Sequence, residues 1–159
     1  MTPDGGLRLD SYLPYRLSVA SNAVSGLIAR AYEDRFGLTI PQWRLVCVLA
    51  EDGGLTQVQI VARTVMDKVT VSRAAQGLVR RRLVDRSQNR QDARSHVLAL
   101  SEAGRDLHAE IAPLALAYEA ALIAGLTPQE VTLLRRLLGR LQTAAGQLSG
   151  ETSRPVGLD

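Results

Sequence analysis

The sequence predicts a mainly α-helical fold with one small β-hairpin. Three observations carry this: long stretches of helical apolar periodicity, three short capped helices in succession, and a single brief change to strand-like alternation. Composition agrees, with 46% hydrophobic and 22% charged residues and only 4% aromatics, a balance that suits helices packed on helices. At 159 residues the chain is long enough to bury a real core within one compact unit.

Taken in order, residues 1–10 (MTPDGGLRLD) are polar and punctuated by Gly and Pro and are expected to be flexible. From about Ser11 to Phe36 apolar residues recur at Leu13, Leu17, Ala20, Val24, Leu27, Ile28 and Ala31, predicting one long amphipathic helix that stops at Gly37. Thr39 and Gln42 bracket Pro41 as a capping box and open a short apolar helix to about Ala50, followed by the turn Glu51-Asp52-Gly53-Gly54. Thr56 and Gln59 repeat the device. A third short helix begins at Asp67, whose carboxylate can cap free amides of the next turn.

After Leu83 the period changes to alternation, with Val84–Ser87 and Ser95–Leu100 flanking the polar stretch Gln88–Arg94, so a β-hairpin with a basic tip is expected. Ser101 caps a helix to about Ala124, with a kink expected at Pro113. Thr127-Pro128-Gln129-Glu130 is a full capping box for the last helix, which carries Val131, Leu134, Leu138, Leu141 and Ala145 on one face. The resulting organisation is a helix-turn-helix lobe with a hairpin wing over 38–100, a helical region over 11–37 and 101–148, and a flexible tail over 149–159. The N-terminal stripe and the Val131–Ala145 face exceed what one small lobe can cover, so these helices are expected to pack between two chains as dimerisation elements.

The net charge is +3 and its distribution matters more than its size. Arg63, Lys68, Arg73, Arg80, Arg81, Arg82, Arg86, Arg90 and Arg94 fall between residues 63 and 94, with only Asp67, Asp85 and Asp92 among them. On a helical wheel of residues 67–80, Val71, Ala74, Ala75 and Leu78 cluster inward and Val69, Arg73, Gln76 and Arg80 face out. Thr70 and Ser72 flank that outward face, and Lys68 stands at its start. Hydroxyls, a guanidinium and a small apolar group are what major-groove base edges require, and an exposed Val69 suits a thymine methyl. At the hairpin tip Arg90 and Arg94 are placed to reach phosphates or a narrow minor groove. The competing readings are a merely solvated charged face and a helical interaction protein that binds no DNA.

Other chemistries find little purchase. Cys47 is the sole cysteine and lies in the apolar run Leu45–Leu49, a core thiol rather than a nucleophile, so a redox-responsive regulator acting through it is the alternative reading. His96 and His108 stand apart from each other and from acidic residues at ligand spacing, so neither a metal, a cofactor nor an enzyme is expected. The N-terminus lacks a signal pattern, and no apolar run approaches the roughly 18 residues of a membrane span, so a cytoplasmic chain without a membrane partner is expected.

The run Asp67-Lys68-Val69-Thr70-Val71-Ser72-Arg73, then Leu83-Val84, then Asp92-Ala93-Arg94-Ser95 with Leu98-Ala99-Leu100-Ser101-Glu102-Ala103-Gly104, resembles the MarR family of bacterial regulators. The resemblance covers nearly the whole chain. It implies a winged helix-turn-helix that acts as a homodimer on a palindromic double-stranded DNA operator, with Thr70, Ser72 and Arg73 reading DNA, Arg94 inserting from the wing and Asp92 bracing it. It further implies a repressor released by a small effector, a phenolic acid or its coenzyme A thioester. Local chemistry fits such a ligand: Trp43 offers an aromatic wall, Arg16 can pair with a carboxylate, and Tyr15 and Ser18 add hydrogen bonds. One departure is visible. Arg82 stands where the family's recognition helix usually ends at a glycine before the Leu-Val pair, and a left-handed arginine costs ~1 kcal/mol relative to glycine.

Overall fold

The computed structural model describes residues 6–151, which form seven helices and three short strands. In chain order these are α1 (Leu13–Ala29), α2 (Glu33–Phe36), α3 (Ile40–Asp52), β1 (Leu55–Thr56), α4 (Gln57–Thr64), α5 (Lys68–Arg80), β2 (Val84–Gln88), β3 (His96–Leu100), α6 (Glu102–Ile123) and α7 (Pro128–Glu151). They fall into two compact units, the first ending at Tyr118 and the second beginning at Glu119.

The expected long first helix is two helices. α1 ends at Ala29, and a single turn, α2, follows before Gly37 closes it in the left-handed conformation (φ 63°). The break has a packing cause. Ala29, Ala31 and Tyr32 are all buried, yet positions two apart lie about 200° from each other on one helix, so an unbroken helix would turn one of them to solvent. Leaving the helical path lets the Tyr32 ring stack on Trp43 at 5.5 Å.

The capping boxes at Thr39/Gln42 and Thr56/Gln59 form reciprocally, each threonine hydroxyl accepting the backbone N–H three residues on while the glutamine Oε1 accepts the threonine amide. Sequence periodicity does not reveal β1, because two residues are too few to alternate. It joins the hairpin in an antiparallel sheet of order β1-β3-β2, with Leu55 opposite Leu98 and Val84 opposite Leu100. The core of this unit gathers Leu38, Leu45, Val46, Ile60, Val71, Leu78, Leu98 and Ile111 from five of these elements and the segment before α3.

The end of α5 is lashed to the start of α6. Ser101 Oγ donates to Arg82 O at 2.8 Å and accepts from Gly104 N at 3.0 Å, while Ser101 N donates to Leu83 O at 3.1 Å. The approach is so close that a Cβ on Gly104 would lie 2.0 Å from Leu83 O. α6 continues as helix through Pro113.

In the second unit Thr127 and Glu130 complete their capping box, and Arg135 pairs with Glu119 at 3.3 Å. α7 runs to Glu151, past the boundary expected at residue 148, and none of its described residues is buried.

Candidate nucleic-acid interface

The local sequence shapes α5. Asp67 stands at its N-cap, with Oδ1 accepting from Thr70 N at 2.8 Å and Oδ2 accepting from Thr70 Oγ1 at 2.6 Å. These bonds hold the Asp67 carboxyl below the usual carboxylate range, the Thr70 hydroxyl contributing most. The Thr70 hydroxyl hydrogen is thereby committed to the cap, leaving its oxygen lone pairs for a further partner. Val71, Ala74, Ala75 and Leu78 are buried, whereas Val69 is 58% exposed. Lys68, Arg73, Gln76 and Arg80 are exposed, and Thr70 and Ser72 half-buried at the edge. Gln76 Nε2 donates to Ser72 Oγ at 3.4 Å, joining two of the outward polar groups.

The wing holds its own shape. Asp92 Oδ1 accepts from the Arg94 amide at 3.0 Å and Asp92 O accepts from Ser95 N at 3.0 Å. Asn89 Nδ2 donates to Ser95 Oγ at 2.9 Å across the tip. These bonds leave Arg90 and Arg94 exposed. Among the described residues no carboxylate pairs with Arg73, Arg80, Arg90 or Arg94.

Two of the nine clustered cations serve the fold instead. Arg63 pairs with Glu51 at 2.9 Å and Asp52 at 2.5 Å, tying α4 to the end of α3. Arg81 donates to Phe36 O at 2.6 Å and Gly37 O at 3.1 Å, satisfying carbonyls at the end of α2. Arg82 adopts φ 56°, the left-handed conformation expected of a glycine at that place. Val65, at the turn between α4 and α5, does the same at φ 54°, a strained geometry for a β-branched side chain.

Sequence reasoning missed a groove that runs from α5 past the start of α4 to the wing. Its larger part, about 470 Å³, is lined by Gln57, Val58, Arg86, Arg94 and His96 among others. A smaller part of about 200 Å³ continues to Gln76 and Arg80, sharing Gln57, Arg86 and Leu98. Arg86 Nη2 lies 3.0 Å from His96 Nδ1 across the hairpin. The signal for this pair was the strand register, which sets Arg86 opposite Leu98 and His96 opposite Gln88, so that the two stand diagonally across the ladder.

The expected effector residues are not drawn into one cavity within the described residues. Tyr15, Arg16 and Ser18 are exposed on α1. Trp43 is buried, and its ring stacks on Tyr32 at 5.5 Å and on His108 at 5.6 Å. Cys47 is half-buried against the core, and burial pushes its thiol up to about 12. Among the described residues no cluster of three metal-ligating side chains occurs, and no single helix is long and apolar enough to cross a membrane.

The MarR family model matches residues 36–95, which span the helix-turn-helix and most of the hairpin. No curated protein matches the chain at the level of sequence. Among solved structures, one from Pseudomonas aeruginosa described as a "probable transcriptional regulator" is 34% identical, with 84% of this chain and 99% of that one covered and a TM-score of 0.75. BpsR of Bordetella bronchiseptica, whose DNA binding is regulated by 6-hydroxynicotinic acid, is 26% identical, with coverage of 82% and 98% and a TM-score of 0.75. The PcaV transcriptional regulator of Streptomyces coelicolor, solved in complex with its natural ligand, is 23% identical and shares the fold at a TM-score of 0.80 over 89% and 99% of the two chains. The chain therefore belongs to the MarR family, whose members are transcriptional regulators rather than enzymes.

Proposed function

We propose that this regulator is a ligand-responsive repressor that binds a palindromic operator as a homodimer and leaves it when a small aromatic acid or its thioester binds. One observation carries the DNA part: Val69, Arg73, Gln76 and Arg80 form an exposed face on α5 beside a braced wing that presents Arg90 and Arg94. In this reading Lys68, Thr70, Ser72 and Arg73 meet base edges and phosphates in the major groove, while Arg94 enters the minor groove and Asp92 holds the wing.

The dimer is supported by α7, whose Leu133, Leu134, Leu137, Leu138 and Leu141 are all exposed in the single chain. A second copy is the occupant that would bury such a stripe symmetrically. The effector reading rests on the behaviour of BpsR and on the chemistry of α1, where Arg16 with Tyr15 and Ser18 offers a guanidinium and hydroxyls to a carboxylate. In this reading Trp43 is the aromatic wall, although its ring is already stacked on Tyr32 and His108. A ligand there need only favour a spacing of the two recognition helices that misses the ~34 Å half-site repeat of B-DNA. A differential affinity of ~2–3 kcal/mol gives derepression of roughly 30- to 150-fold.

The test is a mobility-shift titration on the DNA upstream of the chain's own gene, followed by aromatic acids and their coenzyme A thioesters, with Arg16→Ala and Trp43→Ala alongside. A specific shift that an acid reverses in wild type and not in Arg16→Ala supports the reading. A response unchanged by both substitutions removes the effector site, and absence of any shift removes the repressor.

A further inference from the structure

We infer that the groove between α5 and the wing seats a backbone phosphodiester of the bound duplex, with Arg86 as its principal ligand and His96 as the residue that orients Arg86. The inference rests on the DNA-binding reading above and adds to it a principal ligand, Arg86 on β2, that stands on neither the recognition helix nor the wing tip. A helix lying in the major groove and a hairpin tip in the adjoining minor groove are necessarily separated by one sugar–phosphate strand, because that strand is the wall between the two grooves. Whatever protein surface lies between α5 and the wing tip must therefore face phosphates.

That surface is the groove described above, and its chemistry matches. Arg80 stands at one end and Arg94 at the other, and Arg86 lines both of its parts. Asp92 is the sole carboxylate lining it, and its Oδ1 already accepts the Arg94 amide. Gln57 supplies a neutral amide to both parts over the buried Leu98 side chain. A channel with three guanidinium groups and one engaged acid suits a phosphodiester, whose oxygens only accept.

The Arg86–His96 contact gives the site its order. A guanidinium has donors and no acceptor, so at 3.0 Å Arg86 Nη2 donates and His96 Nδ1 accepts, which puts the ring hydrogen on Nε2. One edge of the Arg86 fork is thereby held, and its remaining N–H groups are preordered before DNA arrives. His96 acts here as a positioning residue, through Arg86.

The experiment compares wild type, Arg86→Gln, His96→Ala and His96→Asn on the upstream duplex and on a random duplex, across salt. Asn places Oδ1 where the histidine has Nδ1, so it keeps the acceptor. Arg86→Gln is expected to weaken both duplexes by the same factor, roughly tenfold per bound protomer, and to lower the salt slope by about one per protomer. His96→Ala should lose part of that affinity and His96→Asn should regain it. In wild type, methylphosphonate substitution of the one phosphate between the contacted major and minor grooves should reproduce the loss, with no further loss in Arg86→Gln. An unchanged slope in Arg86→Gln, or additive losses with the methylphosphonate, overturns the phosphate site while leaving DNA binding intact. A change in base preference with Arg86→Gln makes Arg86 a base reader and overturns it equally. Wild type that binds neither duplex overturns the DNA reading, and this inference with it.

Discussion

The winged-helix lobe and α7 are built from similar residues and end in opposite conditions. In the lobe, Leu45, Val46, Ile60, Val71 and Leu78 are fully buried, and side-chain caps satisfy the starts of α3, α4 and α5. α7 has a capping box as good as any in the lobe, yet five leucines from Leu133 to Leu141 stand at 40–46% exposure and none of its described residues is buried. Capping and propensity are local and are satisfied wherever the residues occur. Burial is not local, and a helix of this length in water draws most of its stability from packing of its apolar face. The lobe completes itself within one chain, whereas α7 leaves its apolar face uncovered there, the condition from which the proposed dimer is argued.

The largest expected effect breaks the lobe. Gly104→Ala places a methyl 2.0 Å from Leu83 O and 3.2 Å from Leu100 Cδ2, and backbone must move to admit it. A destabilisation on the order of 3 kcal/mol is expected, read as a fall of roughly 10 °C in melting temperature. The complementary change leaves the lobe alone. Leu134→Lys with Leu138→Lys should convert a dimer to a monomer in light scattering at micromolar concentration, with the lobe's melting scarcely altered.

A third measurement reports how closed the lobe is around Cys47. Burial, with Glu51 adding to it, raises the thiol from an ordinary 9.0 to about 12. At pH 8 the folded protein should be alkylated by iodoacetamide about a thousandfold more slowly than the unfolded chain, since the thiolate is the nucleophile. The linked stability has a definite sign. The folded state holds this proton more tightly, so its contribution is complete below pH 9 and is lost as pH rises toward 12. Rapid alkylation would reopen the redox reading. The smallest effect sharpens the lobe: Val65→Gly removes a left-handed β-branched residue whose side chain is 73% exposed, and should stabilise by ~1 kcal/mol, a rise of a few degrees in melting temperature.

What could be read from the sequence follows the same division between local and distant causes. The three capping boxes, the Asp67 cap and the two faces of α5 depend on residues within a turn or two of each other, and the structure has them where periodicity and spacing placed them. The left-handed Arg82 was flagged only through the family resemblance, which places a glycine at that helix end, and the structure has Arg82 in the left-handed conformation. The break after Ala29 was not, since it depends on Tyr32 meeting Trp43, and Trp43 in turn meeting His108 on α6. Arg63 and Arg81 counted as free cations in a linear window, yet each is spent on partners 11 to 45 positions away. Arg86 and His96 were visible only as separate residues until strand register set them side by side.

The central claim is that the outward face of α5 reads bases, and Arg73 tests it most directly. Its guanidinium is exposed on that face and pairs with no carboxylate among the described residues. Competition binding of wild type and Arg73→Ala, on the upstream duplex against a random duplex at fixed salt, should show a loss of ~1–3 kcal/mol confined to the specific sequence, with base preference relaxed at one position per half-site. Equal losses on both duplexes would make Arg73 a phosphate contact and contradict the assignment of this face to sequence readout.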